Sequence, residues 1–302
     1  MMYIHDHFLM GISEKINYKD YLKFLDEEKE CIICGKNEKI VWTRYSGFKA
    51  VQCNDCKFVW IDPCLNKEGL EKYYHDYLTS NRKNKEMARL RKIQYKIDLE
   101  FIKKYIQKGK VLDVGCSGGF FLNEFGDGFE KHGIEIDPES CNYGRKEFGI
   151  NIINGIFGEK DDFRENYFDL VVTRGSIEHM PNARQVIERI AKVLKPGGFY
   201  FISATPNIEC FSAQIYREKW NQFDPIEHIF YFSEKTMSNL CNQYGLKLID
   251  SDYPYLKTPY ANPYEDNKKI IGDVLKISNS KKNEITASPP FWGTMMTLIF
   301  QK

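Results

Sequence analysis

Four cysteines in two tight pairs carry the most explicit chemistry in this chain: Cys31-Ile-Ile-Cys34-Gly35 and Cys53-Asn-Asp-Cys56, a C-x2-C-x18-C-x2-C pattern. Each pair can turn back on itself and present two thiolates. Four thiolates complete a tetrahedral zinc site with no position left for water, so the expected Zn2+ is structural and not catalytic. Gly35 suits a turn that points backbone amides at sulfur. Cys64, Cys116, Cys141, Cys210 and Cys241 read as small packing residues.

A second group begins at VLDVGCSGGFF, residues 111–121. A strand ending near Val114 runs into a turn built on Gly115, Ser117 and Gly119, with Asp113 inside the strand end. Small residues there let the backbone bend and a ligand approach the following helix N-terminus. That turn alone also fits a dinucleotide dehydrogenase. The segment HGIEIDP then puts Glu135 at the end of a second strand, where an acid can accept both hydroxyls of a ribose. Two histidines stand in comparable places, His179 in SIEHM after a fourth strand and His228 in KWNQFDPIEHIFYFS after a fifth. His5, His7, His75 and His132 have no such context.

The elements that must position these residues follow from hydrophobic periodicity. VLDVG, KHGIEID, INIINGIF, YFDLVVTRG and GGFYFISAT read as strands, and PESCNYGRKEF and RQVIERIAKVL as helices between them. Strands alternating with helices predict a parallel sheet covered on both faces. LKLIDSD and WGTMMTLIFQK add two strands near the end. The domains expected are an N-terminal helical lead at 1–30, a zinc ribbon at 31–65, a helical connector or cofactor lid at 66–107, and one large α/β domain at 108–302 with a polar insertion at 254–288.

Composition sets the bounds. The chain has 302 residues, 42% hydrophobic and 28% charged, the balance of a soluble globular protein. With 43 basic and 42 acidic residues the net charge is +1, so no global field draws in nucleic acid. No apolar run approaches the ~20 residues of a membrane span. The N-terminus has neither a basic region nor a small-residue cleavage site, and the cytoplasm is the expected location.

The run 111–250 resembles the class I, Rossmann-like methyltransferases that use S-adenosylmethionine (SAM). The aspartate–glycine turn, the acid after strand two, the Glu-His after strand four and Lys195-Pro-Gly-Gly before strand five carry the resemblance. It implies a seven-stranded, mostly parallel sheet with an antiparallel last strand. It also implies that Gly115 and Gly119 turn around the methionine part of SAM and that Glu135 binds the ribose. The backbone at Ile156 and Phe157 then approaches adenine, with apolar packing from Ile136 and Phe157. Many relatives carry an acid at the position of Ile156, and this chain does not. Asp113, Cys116, Ser117 and Arg174 complete the expected cofactor contacts, with Tyr77 covering the pocket.

The ribbon and FVWIDPCLNKEGLEKYYHDYL resemble bacterial sugar methyltransferases, as do Glu227-His228 and Tyr231-Phe232-Ser233. By that resemblance His228 is the general base, assisted or oriented by Glu227 and His179. The deoxysugar C-methyltransferases carry a long further C-terminal domain, for which this chain has no room. The expectation is therefore O- or N-methylation of a sugar, a sugar nucleotide or a surface-glycan precursor. The alternative is an RNA methyltransferase gripping nucleic acid with the ribbon, against which stand the acids Asp26, Glu27, Glu28 and Glu30 just before it.

Overall fold

The computed structural model describes residues 17–81, 85–159 and 161–302, with backbone alone for 75–81 and 85–88. The chain divides into two compact units. One takes the described part of Met1–Ala88 with Pro206–Ser233 and Pro254–Thr294, the other Arg89–Thr205, Glu234–Tyr253 and Met295–Lys302. This division cuts across the expected span 108–302. The physical reason is that the loops leaving the large sheet bring their own aromatic side chains, among them Tyr216, Trp220, Phe223 and Tyr231, into a core with Phe48, Ile61 and Tyr73.

The first unit is built on a small sheet of β1 (Lys39–Tyr45), β2 (Phe48–Cys53), β3 (Val59–Ile61) and β9 (Phe230–Tyr231), ordered β1-β2-β3-β9. All three pairings are antiparallel. Helices α1 (Lys67–Asn81), α6 (Phe211–Tyr216) and α8 (Pro263–Ser278) belong to the same unit, and α8 lies within the segment read from sequence as an insertion. The expected helical lead is shorter than the periodicity of 20–30 suggests. A 3-10 helix spans Tyr18–Phe24, and its buried Tyr21 and Phe24 anchor it. The acids beyond it have no apolar face to bury, and the described backbone there is not helical.

The second unit contains β4 (Gly109–Val114), β5 (Phe129–Glu135), β6 (Asn151–Asn154), β7 (Phe168–Arg174), β8 (Leu194–Pro206), β10 (Lys247–Asp252) and β11 (Met295–Gln301). Their order is β10-β11-β8-β7-β4-β5-β6. The β4/β5, β4/β7, β5/β6 and β7/β8 pairs are parallel, and β10/β11 is antiparallel. This is the expected seven-stranded, mostly parallel sheet. Its central strands are buried on both faces, with Leu170, Val171, Val172, Tyr200, Phe201 and Ile202 inaccessible, so they read as continuous apolar runs.

The connecting helices are α2 (Lys85–Ile102), α3 (Phe120–Asn123), α4 (Pro138–Phe148), α5 (Ala183–Val193) and α7 (Glu234–Asn242). Helix α4 shows how local sequence sets them. Asp137 caps it by accepting from the Ser140 amide, Pro138 opens it, and Gly149 closes it at φ 65°. No helix among the described residues is long and apolar enough to cross a membrane.

Candidate functional site

In the second unit the expected cofactor residues gather at the carboxyl ends of β4, β5 and β7, where open α/β sheets bind ligands. Gly115 and Gly119 sit at φ 79° and 74°, in the left-handed region that glycine enters without strain. A side chain at Gly115 would also meet the Ser176 Cβ at 3.0 Å. Ser117 adopts φ 49° between them. Its amide donates to Glu135 Oε2 at 2.8 Å, while the Asp137 amide donates to Glu135 Oε1 at 2.9 Å. Each carboxylate oxygen keeps a further lone pair, the capacity needed to accept two ribose hydroxyls. Burial pushes the Glu135 carboxyl up, against the pull of those amides.

Asn154, which sequence reasoning missed, braces the same edge by donating to the Glu135 and Ile136 carbonyls at 3.0 and 2.9 Å. Ile136 is 59% exposed beside Glu135, an apolar surface suited to a base. The Phe157 ring, next to Ile156, is buried and packs on Phe163 with centroids 6.4 Å apart. Cys116 is buried at the turn. The Tyr77 side chain lies outside the described residues.

Arg174 ends β7. Its Nε donates to Asp98 Oδ2 at 2.7 Å, and its guanidinium lies 4.6 Å from the Tyr95 ring centroid. Tyr95 and Asp98 are three residues apart on α2, hence on one face. That helical spacing is the only sequence signal they carry. Burial raises the Asp98 carboxyl, and Arg174 opposes the shift.

Asp113 is buried, and its Oδ1 has no hydrogen-bond partner among the described residues. Such an atom suits a cationic ligand group, and the SAM ammonium is one. Burial pushes the Asp113 carboxyl up to about 7, with Arg174 opposing and Glu135 adding to the shift. A raised acid binds more protons folded than unfolded, so its contribution to stability is present at low pH. It is lost as pH climbs from the unfolded value near 3.8 to about 7. Asp113→Asn is expected to flatten that pH dependence by about 2–4 kcal/mol and to weaken SAM binding. Urea unfolding of both proteins from pH 4.5 to 8 checks this. An unchanged slope would show that Asp113 does not titrate in that window.

His179 ends a 3-10 turn at Ile177–His179, directly after β7. Glu178, another residue missed, is buried and accepts from Thr205 Oγ1 at 3.1 Å, with its Oε1 3.8 Å from His179 Nε2. Its adjacency to His179 in SIEHM was the available signal. Glu227 and His228 lie in the first unit, so the three candidate catalytic residues divide between the two units.

The His228 loop is organised by Asp224, whose Asp-Pro dipeptide is a turn signature. Asp224 Oδ1 accepts from the Ile226 and Glu227 amides at 2.9 and 3.0 Å, and Oδ2 accepts from Tyr18 Oη at 2.9 Å. Its carbonyl takes the His228 amide at 3.0 Å and the Tyr231 hydroxyl at 3.0 Å. Burial and the Asp224 charge hold the Tyr18 phenol well above its usual value. His228 Nδ1 lies 2.7 Å from the Gln222 carbonyl. A carbonyl only accepts, so Nδ1 carries the hydrogen and the neutral ring has its basic lone pair on Nε2.

The four paired cysteines converge as the spacing predicts. Their sulfurs all lie within 4.8 Å of one another, with Cys31–Cys56 at 3.4 Å and Cys34–Cys53 at 3.5 Å. A zinc ion about 2.3 Å from four sulfurs holds them roughly 3.8 Å apart, so the set fits the ion. The Gly35 amide donates to the Cys31 carbonyl at 2.8 Å, and the Lys57 amide to the Cys53 carbonyl at 3.2 Å, giving two matching turns.

A doubly wound sheet with this turn after its first strand and a carboxylate after its second defines a class I, Rossmann-like methyltransferase. Residues 86–251 match the family described as methyltransferase domain, and the chain belongs to that family. It is an SAM-dependent methyltransferase.

An uncharacterised protein of Methanocaldococcus jannaschii is 28% identical over 165 residues, covering 55% of this chain and 78% of that protein. A ubiquinone biosynthesis O-methyltransferase of Shewanella is 34% identical over 110 residues, 34% of this chain and 46% of that enzyme. The chain thus spans less than half the length of that relative. The fold is shared with a Thermotoga maritima SAM-dependent methyltransferase, described as a possible histamine N-methyltransferase. That likeness has a TM-score of 0.52 at 14% identity and covers 77% of this chain and 98% of the other.

Proposed function

We propose that this enzyme methylates a hydroxyl or amine of a small molecule, specifically a sugar, a sugar nucleotide or a surface-glycan precursor, with His228 as general base. The observation that carries the reading is the Nδ1 contact to the Gln222 carbonyl, which leaves Nε2 as the proton acceptor. The Shewanella relative, named as an O-methyltransferase, supports an oxygen acceptor. The sulfonium of SAM supplies an already activated methyl group. The chain's own residues have only to bind, align and take a proton. Glu227 and His179 assist the base, the Gly115 turn, Glu135 and Asp113 hold SAM, and the four cysteines hold structural zinc.

Near-neutral charge favours a small acceptor over RNA. Incubating the protein with SAM and a panel of nucleotide sugars, with bulk RNA alongside, is expected to release S-adenosylhomocysteine with at least one sugar and none with RNA. Methyl transfer to RNA alone would overturn the reading.

A further inference from the structure

Arg217 leaves α6 in a conformation that a side chain disfavours. Its φ is 55°, in the half of the map that glycine enters freely. A larger residue persists there only where its surroundings hold it, and such positions cluster at ligand clamps. The segment is pinned accordingly. The Arg217 amide donates to the Ala213 carbonyl, Glu218 Oε2 accepts from Thr43 Oγ1 at 2.8 Å, and Lys219 Nζ donates to the Ile285 carbonyl at 2.7 Å. Asn221 follows, its amide donating to Ser288 Oγ at 3.0 Å.

What this conformation delivers is a guanidinium over an indole. The Arg217 Cζ lies 4.7 Å from the Trp42 ring centroid, a cation–π contact. Arg174 and Arg189 are met by Asp98 and Asp161, but among the described residues no carboxylate pairs with Arg217. The adjacent acid, Glu218, is turned to Thr43 instead. Burial draws the Arg217 guanidinium down from its usual value, and the Glu218 charge opposes the shift. Trp42 Nε1 and Asn221 Oδ1 are both buried with no hydrogen-bond partner among the described residues. A partly desolvated cation and an unsatisfied indole N–H are donors that lack an anion. The planar guanidinium fork suits phosphoryl oxygens, which it takes two at a time.

The stacked pair is continuous with the His228 loop. Trp42 meets Phe223 at 6.1 Å between ring centroids, Phe223 stacks on Tyr231 at 5.4 Å, and Tyr231 meets His228 at 6.2 Å. All of these residues belong to the first unit. We propose that Arg217, seated on Trp42, binds a phosphoryl group of the acceptor, while His228 takes the proton of its reacting hydroxyl or amine. This rests on the small-molecule reading above and narrows it to phosphorylated or nucleotide-linked sugars. A neutral glycoside would leave the stacked cation without a counter-charge.

Calorimetric titration of the full chain with inorganic pyrophosphate, in a buffer free of phosphate, tests this. Wild type is expected to bind it. Arg217→Ala is expected to weaken that binding by about 10- to 100-fold, the effect of losing charge-assisted hydrogen bonds, with SAM affinity unchanged. Arg217→Lys keeps the charge without the fork and should recover only part of the loss. Arg217→Gly relieves the backbone, so it should unfold at no lower temperature than wild type and still fail to bind, a combination that a merely structural arginine would not give. Wild type with no measurable pyrophosphate binding overturns the proposal. So does wild-type affinity in Arg217→Ala or Arg217→Gly, and so does tighter binding of glucuronate, a sugar carboxylate without phosphate, than of pyrophosphate. Pyrophosphate accepts no methyl group, so a panel in which no sugar is methylated counts against the sugar reading and not against this site.

Discussion

His228→Gln is expected to lower turnover by about two to four orders of magnitude, the usual contribution of a positioned general base, while SAM binds with unchanged affinity. The substitution is chosen from the geometry. Glutamine keeps a polar amide near the place of Nε2 without its basic lone pair, and the loop keeps its Asp224 anchor. His228 reaches its position through Asp224, which gathers the Ile226, Glu227 and His228 amides, Tyr18 and Tyr231 into one turn. Asp224→Ala should therefore also lower turnover, but by loosening the loop. Its loss should be accompanied by a lower unfolding temperature, which His228→Gln should not show. Single-turnover rates and calorimetric SAM affinities on the three proteins separate the effects. Near-normal turnover in His228→Gln would remove the histidine from the chemistry.

Legibility in the sequence tracked how local each feature is. The two cysteine pairs were readable because a four-cysteine cluster is a matter of spacing within each turn, and the sulfurs come together as that spacing requires. The large sheet was readable because each strand carries its own apolar run and each helix its own period. The Gly115 turn was readable because few residue types tolerate its backbone. What escaped was held by distant partners. Asp98 acquires meaning only when α2 brings it to Arg174, and Asn154 only when it closes on the β5 carbonyls. Glu178 was visible as a neighbour of His179, yet its burial against Thr205 needed the β7/β8 pairing. The assignment of 206–233 and 254–294 to the ribbon unit was hidden for the same reason, since their aromatic side chains reach across the sequence to the β2 and β3 core.

Removing the proposed zinc is expected to have the largest effect on stability. The apparent binding energy of a structural four-cysteine site, roughly 10–16 kcal/mol, matches or exceeds the roughly 5–15 kcal/mol that stabilises a typical domain. Cys31 and Cys53 are buried, so their thiolates, once formed, need the ion's charge as a partner. The sulfur separations of 3.4 and 3.5 Å lie far outside the ~2.05 Å of a disulfide and near the spacing of a four-thiolate zinc site. In the proposed site the ion would also hold the two turns in register. Gly35 at φ 71° and Lys57 at φ 65° occupy equivalent places, and the second does so with a side chain that disfavours the conformation. Elemental analysis of the purified chain is expected to find one zinc per molecule. Chelation under reducing conditions should abolish the near-ultraviolet dichroism of Trp42, Trp60 and Trp220, all of which belong to the ribbon unit. Cys53→Ser should do the same without chelator. Lys57→Gly, which relieves the strained turn, should instead raise the unfolding temperature slightly. A metal-free protein with full stability would show that packing alone holds the ribbon.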